Sequence, residues 1–248
     1  MTMHERLIRL QQATARGAPI EQVLLREDVR THSELQTHHP GASITHLVIL
    51  ESRKAIFKSF EGQNPNTCLN YRQSRVEAPV HEVVAWRLVH AMGKPWDQLI
   101  PAAVLRNIDG LGGGALINYR VGQPTPDIFD LAPGQVHSAA FWDALIGQQD
   151  RHATNFRYDA ANNKLALIDH AFAFAKPGDI SPNSLFLTYR RSNNGVMLVE
   201  QELEALDALL SADLYGLRDF LDPERGDAFE ARAQRMLQQR QLPLPGVF

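Results

Sequence analysis

Asp150, Asn155 and Asp169 are the residues of this sequence whose types and spacing carry the clearest chemistry. A carboxylate, an amide five positions later and a second carboxylate at the end of the apolar run Ala166-Leu167-Ile168 form the set that phosphoryl transfer requires. One carboxylate orients or accepts the proton of an attacking hydroxyl, and the other two side chains offer hard oxygen ligands that hold magnesium against nucleotide phosphates. The stretch between them supports this geometry. Asn155-Phe156-Arg157-Tyr158 alternates like a strand, Asp159 to Asn163 is turn-rich, and Lys164 to Ile168 reads as a second strand, so one hairpin brings Asn155 beside Asp169. Taken singly, each element has an ordinary explanation as a surface ion pair, a turn or a cap. The combination, placed directly after the amphipathic run Val136 to Gly147, points to a site.

The string Asp150-Arg151-His152-Ala153-Thr154-Asn155 with the downstream Ile168-Asp169 resembles the catalytic and metal-binding loops of the phosphatidylinositol 3- and 4-kinases. The words FWDALIGQQDRH (141–152) and LIDHAFAF (167–174) are also similar to the small bacterial HipA-like kinases. Both are branches of one protein-kinase-like superfamily, so the two resemblances agree about chemistry and differ about substrate. By that resemblance Asp150 would be the catalytic carboxylate, Asn155 and Asp169 the magnesium ligands, and His152 a further proton-transfer group as in the lipid-kinase branch. ATP would be the donor, and the backbone from Asn118 and Tyr119 to Val121 would hydrogen-bond the adenine edge. The sequence departs from the pattern at His170-Ala171, where many kinases carry Phe-Gly.

Other elements must position these groups. Ile44–Leu50 and Lys54–Phe60 read as strands joined by Glu51-Ser52-Arg53. The two-residue period puts Lys58 with Ile56 on one face and Phe57 on the other, so a lysine sits on an otherwise apolar strand; a solvent-facing edge lysine is the ordinary alternative. Glu82 lies in the helical pattern His81 to Gly93, with Val84, Leu88 and Ala91 apolar and the glycine ending it. A strand lysine followed by a helix glutamate is the pair that positions nucleotide phosphates in kinases. Glu77 is a second candidate partner, separated from the clear helix by Pro79. Upstream, His38 to Ser43 forms a loop whose Gly41 and Ser43 would lie over the phosphates in a kinase-like fold, with a plain surface turn accounting equally for it.

Further along, Asp109 to Gly114 is expected as a turn and Ala115 to Val121 as a strand; no helix follows the glycines, which removes a phosphate-loop reading. Gly122 to Pro126, with two prolines, is the expected hinge. A helix over His4–Arg16 would lead to a strand around Val23-Leu24-Leu25. Beyond Asp169 the segment Phe172–Gly195 is expected to be irregular and to face the substrate, where Arg190 and Arg191 would meet an acidic or phosphorylated group or simply face water. The remainder is expected to be helical, with Val199, Leu203, Leu206, Leu209 and Leu210 on one face and Phe229 to Leu237 carrying a second stripe.

Composition narrows the classes. With 44% apolar residues the chain can bury a sizeable core, and a formal charge of −3 gives no general attraction to nucleic acid. Cys68 is the sole cysteine, so no internal disulfide forms and the reducing cytoplasm is the simplest compartment. The charged start and the lack of a long apolar run argue against a signal peptide or stable membrane insertion. The 10 histidines, His38, His39 and His46 among them, show no paired ligand spacing for zinc. The reading is a two-lobed α+β protein-kinase-like fold, a strand-rich N-lobe over 1–122 and a mainly helical C-lobe over 123–248, with ATP and magnesium between them. The expected acceptor is a Ser/Thr hydroxyl on a protein, with Ser43 a candidate for self-modification. The lack of a polybasic stretch places a phosphoinositide or small-molecule acceptor second, and AMP transfer or a nucleotide-binding pseudokinase completes the alternatives.

Overall fold

A computed structural model describes residues 18–35, 43–124, 127–193, 195–212 and 220–243. The first part is built on a five-stranded antiparallel sheet in the order β1-β2-β3-β5-β4. Its strands are β1 (Val29–Leu35), β2 (Thr45–Leu50), β3 (Lys54–Ser59), β4 (Ala103–Ile108) and β5 (Gly112–Asn118). In β3 the alternation is expressed as expected: Ala55, Phe57 and Ser59 are buried, while Ile56 and Lys58 on the opposite face line a cleft. Lys58 stands opposite Thr45 of β2 and Ala115 of β5.

Helix α1 (Pro19–Arg26) precedes the sheet. Between β3 and β4 come α2 (Pro65–Asn70), α3 (Glu77–Met92) and the single turn α4 (Trp96–Leu99). Helix α3 is buried along nearly its whole length and packs against β4 and β5, because its sequence is apolar on most sides and its two buried polar residues, His81 and Glu82, find partners inside. It ends at Gly93, whose φ of +74° suits a residue without a Cβ.

After β5 the chain is mainly helical. Helix α5 (Pro133–Ile146) is the central element, followed by the hairpin β7 (Phe156–Asp159) and β8 (Lys164–Leu167) and by α6 (Leu185–Ser192), α7 (Glu200–Ser211) and α8 (Pro223–Gln239). The short strand β6 (Gln123–Pro124) pairs with β7. One continuous apolar core runs from Leu24 through α3 and α5 to Met236. The α+β class expected from the sequence is the one observed: an antiparallel sheet first, helices after. No helix among the described residues is long and apolar enough to cross a membrane.

Several local expectations are corrected. Val23-Leu24-Leu25 is helical, because Pro19 starts a helix and Glu21 and Leu24, three apart, share its buried side, with Glu21 bonded to Trp86 at 2.7 Å and Arg87 at 3.0 Å. Strand β1 lacks the apolar alternation that marks a strand, being an edge whose residues are mostly exposed. The glycines Gly112 to Gly114 belong to β5 instead of a turn; a Cβ on Gly114 would lie 2.3 Å from the Lys58 carbonyl oxygen, so the close approach beneath the lysine requires glycine. Strand β5 stops at Asn118, short of Val121, and the hinge segment carries β6 despite its prolines, because Pro124 sits at the end of a two-residue strand. Helix α3 starts at Glu77, since proline is tolerated in a first turn. Helix α6 lies within the segment expected to be irregular, started by Ser184, whose hydroxyl accepts from Leu187 N–H at 3.1 Å. Val199 is the exposed residue just before α7, whereas Leu203, Leu206 and Leu209 are buried. The helix expected over His4–Arg16, and His38, His39 and Gly41, lie outside the described residues.

Candidate active site

Lys58 is the hub of a cleft between the sheet and the β7–β8 hairpin. Its ammonium donates to Glu82 Oε1 at 2.7 Å and to Asp169 Oδ1 at 2.8 Å, joining β3, α3 and the segment after β8. The lysine side chain is 12% exposed and Glu82 only 3%, whereas Asp169 is 36% exposed and keeps its other carboxylate oxygen for a ligand. Burial opposes the lysine's charge, but the two carboxylates outweigh it and hold its pKa above the usual lysine value. Burial likewise works against ionised Glu82, and the Lys58 charge with the His170 hydrogen bond overcomes it, leaving Glu82 well below the carboxylate range. Glu77, the second candidate partner, instead lies 3.5 Å from Arg225.

His170 occupies a place the sequence did not explain. Trp142 Nε1 donates to its Nε2 at 3.3 Å, so the neutral ring carries its proton on Nδ1 and presents it to Glu82 Oε2 at 3.3 Å. The next carbonyl, Ala171 O, lies 2.9 Å from His81 Nδ1 and accepts from Gln73 Nε2 at 3.0 Å. Burial pushes both histidines below their ordinary value, His81 to about 4. Two adjacent positions of α3 therefore grip two adjacent positions after Asp169 and hold Glu82 on Lys58.

The loop carrying Asp150 is held from beneath by Arg151. Its Nε lies 3.2 Å from both oxygens of Asp143 on α5, and its Nη1 donates to Asn155 O at 2.7 Å and to Ile168 O. Ser184 Oγ completes Asp143 at 2.7 Å. Because Ile168 N–H also donates to Asn155 O at 3.1 Å, the hairpin fixes Asn155 next to the strand end that delivers Asp169. Asn155 Nδ2 donates to Asp150 O at 2.7 Å and lies 3.2 Å from His152 Nε2. Gln148 links the two acidic segments, donating to Asp169 O at 3.1 Å and accepting from Asp150 N–H at 3.3 Å. Burial, with Asp169 close by, raises the Asp150 pKa against the opposing pull of His152; a raised carboxylate is better matched to a general base. His152 is half exposed, with Nε2 3.7 Å from Asp150 Oδ2 and Nδ1 2.8 Å from Thr154 Oγ1.

A cavity of about 360 Å³ adjoins this set, lined by Leu47, Ile56, Ile117 and Ile168 as well as Lys58, Asn155 and Asp169. Its size and its apolar walls around a few polar groups suit a nucleotide base with its phosphates toward the charges. A larger groove of about 540 Å³ between β1 and β4 contains none of these residues. Asn118 and Tyr119 line the cavity, and their N–H groups donate to Ala102 O at 2.8 Å and Lys54 O at 3.2 Å. Ser43 Oγ accepts from Asn64 N–H at 3.3 Å. The expected substrate-facing arginines are otherwise engaged: Arg190 is buried against Glu202, with Nη2 at 2.9 Å from Oε2, and Arg191 donates to Pro243 O.

The oxygens fit magnesium. Asn155 spends its amide nitrogen within the loop, which leaves its oxygen for a cation, and Asp169 has one oxygen uncommitted. Two hard oxygen ligands completed by phosphate and water are the donor set this cation takes in nucleotide sites.

Arg151, Asp143 and His170 were missed from sequence. Arg151 and His170 carried a signal, since each adjoins a named acid; the Asp143 contact joins positions 8 apart, which no local pattern displays.

No known family profile and no curated protein matches the chain. Among solved structures it is similar to the Helicobacter pylori proinflammatory kinase CtkA, at 10% identity over 88% of this chain and 94% of that one, with a TM-score of 0.46. It is also similar to vaccinia related kinase 3, at 14% identity over 95% of this chain and 81% of that one, with a TM-score of 0.32. These overall similarities are too low to carry function, which has to be read from the cleft.

Proposed function

We propose that this chain is a magnesium- and ATP-dependent phosphotransferase that moves the γ-phosphoryl group to a hydroxyl. The observation that carries the reading is Lys58 clasped between Glu82 and Asp169 at the wall of a nucleotide-sized cavity, with Asp150 and Asn155 on the same loop below. Lys58 would hold phosphate oxygens and Glu82 would orient it; Asn155 and Asp169 would hold magnesium, whose charge neutralises the phosphates when it is bound. Asp150, with its raised pKa, would take the acceptor's proton, and half-exposed His152 is placed to assist. In this reading residues 1–122 and 123–248 act as the two lobes that close on the nucleotide. A protein Ser/Thr hydroxyl is the proposed acceptor, without nucleic acid or membrane insertion, in the cytoplasm.

ATP labelled separately at the α- and γ-phosphates tests this. Label from the γ-position, but not the α-position, should appear on a protein acceptor when magnesium is present. Transfer of the α-label would make the protein an AMP-transferring enzyme, and labelled lipid or metabolite would move the acceptor class. Nucleotide binding without transfer would leave a pseudokinase.

A further inference from the structure

His170 directly follows the proposed magnesium ligand Asp169 and is buried, yet the proposed reaction gives it no task. Its two ring nitrogens face different parts of the molecule: Nε2 accepts from Trp142 Nε1 of α5 at 3.3 Å, and Nδ1 donates to Glu82 Oε2 of α3 at 3.3 Å. Each Glu82 oxygen thereby has a partner, since Oε1 holds Lys58 at 2.7 Å, and Lys58 in turn holds Asp169 Oδ1 at 2.8 Å. These contacts close on themselves. They run from Asp169 to Lys58, from Lys58 to Glu82, from Glu82 to His170, and from His170 back to Asp169 through their shared peptide bond. The backbone turns at Asp169, whose φ of +62° lies in the left-handed region that Asp enters more readily than most side chains. The next two residues are held from the same side, Ala171 O by Gln73 Nε2 at 3.0 Å and Phe172 by a stack on Tyr71 with ring centroids 4.0 Å apart. Moving the segment that carries Asp169 would take the donor from Glu82 Oε2 and leave a buried carboxylate oxygen unpaired.

We propose that His170 is a positioning residue that holds Glu82 on Lys58 and ties the phosphate-binding lysine to the magnesium-binding carboxylate, so that the two move as one. The inference rests on the kinase reading. His170 does not line the cavity, so its effect passes through Glu82. A phenylalanine in its place would fill the space and offer no donor; the role requires the hydrogen bond and not the bulk of the ring. Trp142 serves the same end from α5, because its donation to Nε2 leaves the imidazole proton on Nδ1, where Glu82 needs it.

The full chain is titrated with magnesium-ATP in a calorimeter, with thermal unfolding followed alongside. His170→Phe should raise the dissociation constant roughly 10- to 100-fold, the worth of a hydrogen bond to a charged group. His170→Asn, whose Nδ2 stands close to the place of the imidazole Nδ1, should bring it back near the parent value. In a Glu82→Ala background, adding His170→Phe should raise it no further, because the group through which His170 acts is already gone. A role confined to packing predicts the reverse, a lowered melting temperature with the parental dissociation constant for the folded molecule. Parental binding in His170→Phe, equal rises in His170→Phe and His170→Asn, or full additivity with Glu82→Ala overturns the proposal and leaves the kinase reading standing. His170→Leu, smaller than the imidazole, carries the same test if the phenyl ring prevents folding. A parent protein that binds no magnesium-ATP sinks both readings.

Discussion

Two buried charge networks behave differently. Around Arg190 every charge is spent inside the protein: the guanidinium meets both oxygens of Glu202 and the carbonyls of Gly195, His137 and Met197. Around Lys58 the pairing is as close, yet Asp169 stays 36% exposed and the lysine lines a cavity. The first network is closed and ties α6 to α7, whereas the second has ligand capacity left over. A buried ion pair alone is therefore no mark of a site, and unspent valence beside a cavity is the better one. The contrast also explains the misplacement of Arg190, since its position in the sequence looked functional and its partner Glu202 is visible only in the fold.

Loss of one partner should expose this difference most strongly. Arg190→Ala leaves Glu202 buried without compensation and is expected to cost about 3–5 kcal/mol in denaturant unfolding. A loss below ~1 kcal/mol would show that the network is not closed. In the cleft, Asp150→Ala should lower transfer by ~10²–10⁴-fold while magnesium-dependent ATP binding persists, because Asp150 faces the acceptor and not the phosphates. Near-parental turnover would remove Asp150 from the mechanism. Asp169→Ala should stay folded, since Lys58 retains Glu82, but lose stabilisation by magnesium-ATP, worth about 2.7 kcal/mol for the parent at a ligand concentration of 100 Kd. Equal thermal shifts in mutant and parent would refute the metal assignment.

The smallest effect concerns the grip of α3 on the segment after Asp169. Burial lowers the His81 pKa to about 4, so between there and the unfolded value near 6.5 the unfolded chain binds a proton that the folded chain does not. His81 thus contributes stability that is fully present above about pH 6.5 and lost as pH falls toward 4, at up to ~1.4 kcal/mol per pH unit. His170, lowered in the same direction by burial, adds to the trend. Unfolding measured from pH 7 to 5 should fall less steeply in His81→Asn than in the parent; parallel curves would show that His81 does not titrate on unfolding.

Local pattern made much of the site legible. The Asn155–Asp169 hairpin, the alternation that turns Lys58 away from Phe57 and the helix that ends at Gly93 are all written in short periods and turn chemistry, and the structure contains each. Hidden were elements that break their own local rules: edge strand β1, polar along its length; Gly112 to Gly114, of which Gly114 is selected by the Lys58 backbone beside it; and α6, short and amphipathic in a run of Ser, Pro and Asn.

The sequence by itself determined which residues could do chemistry and which strand, helix or hairpin would present them, because those features depend on neighbours within a few positions. Tertiary structure alone sent Arg190 into the core against Glu202, set His170 against Glu82 and brought Ser184 onto Asp143. These outcomes turn on pairings between distant parts of the chain, and a buried charge or hydroxyl takes the partner that packing brings within reach.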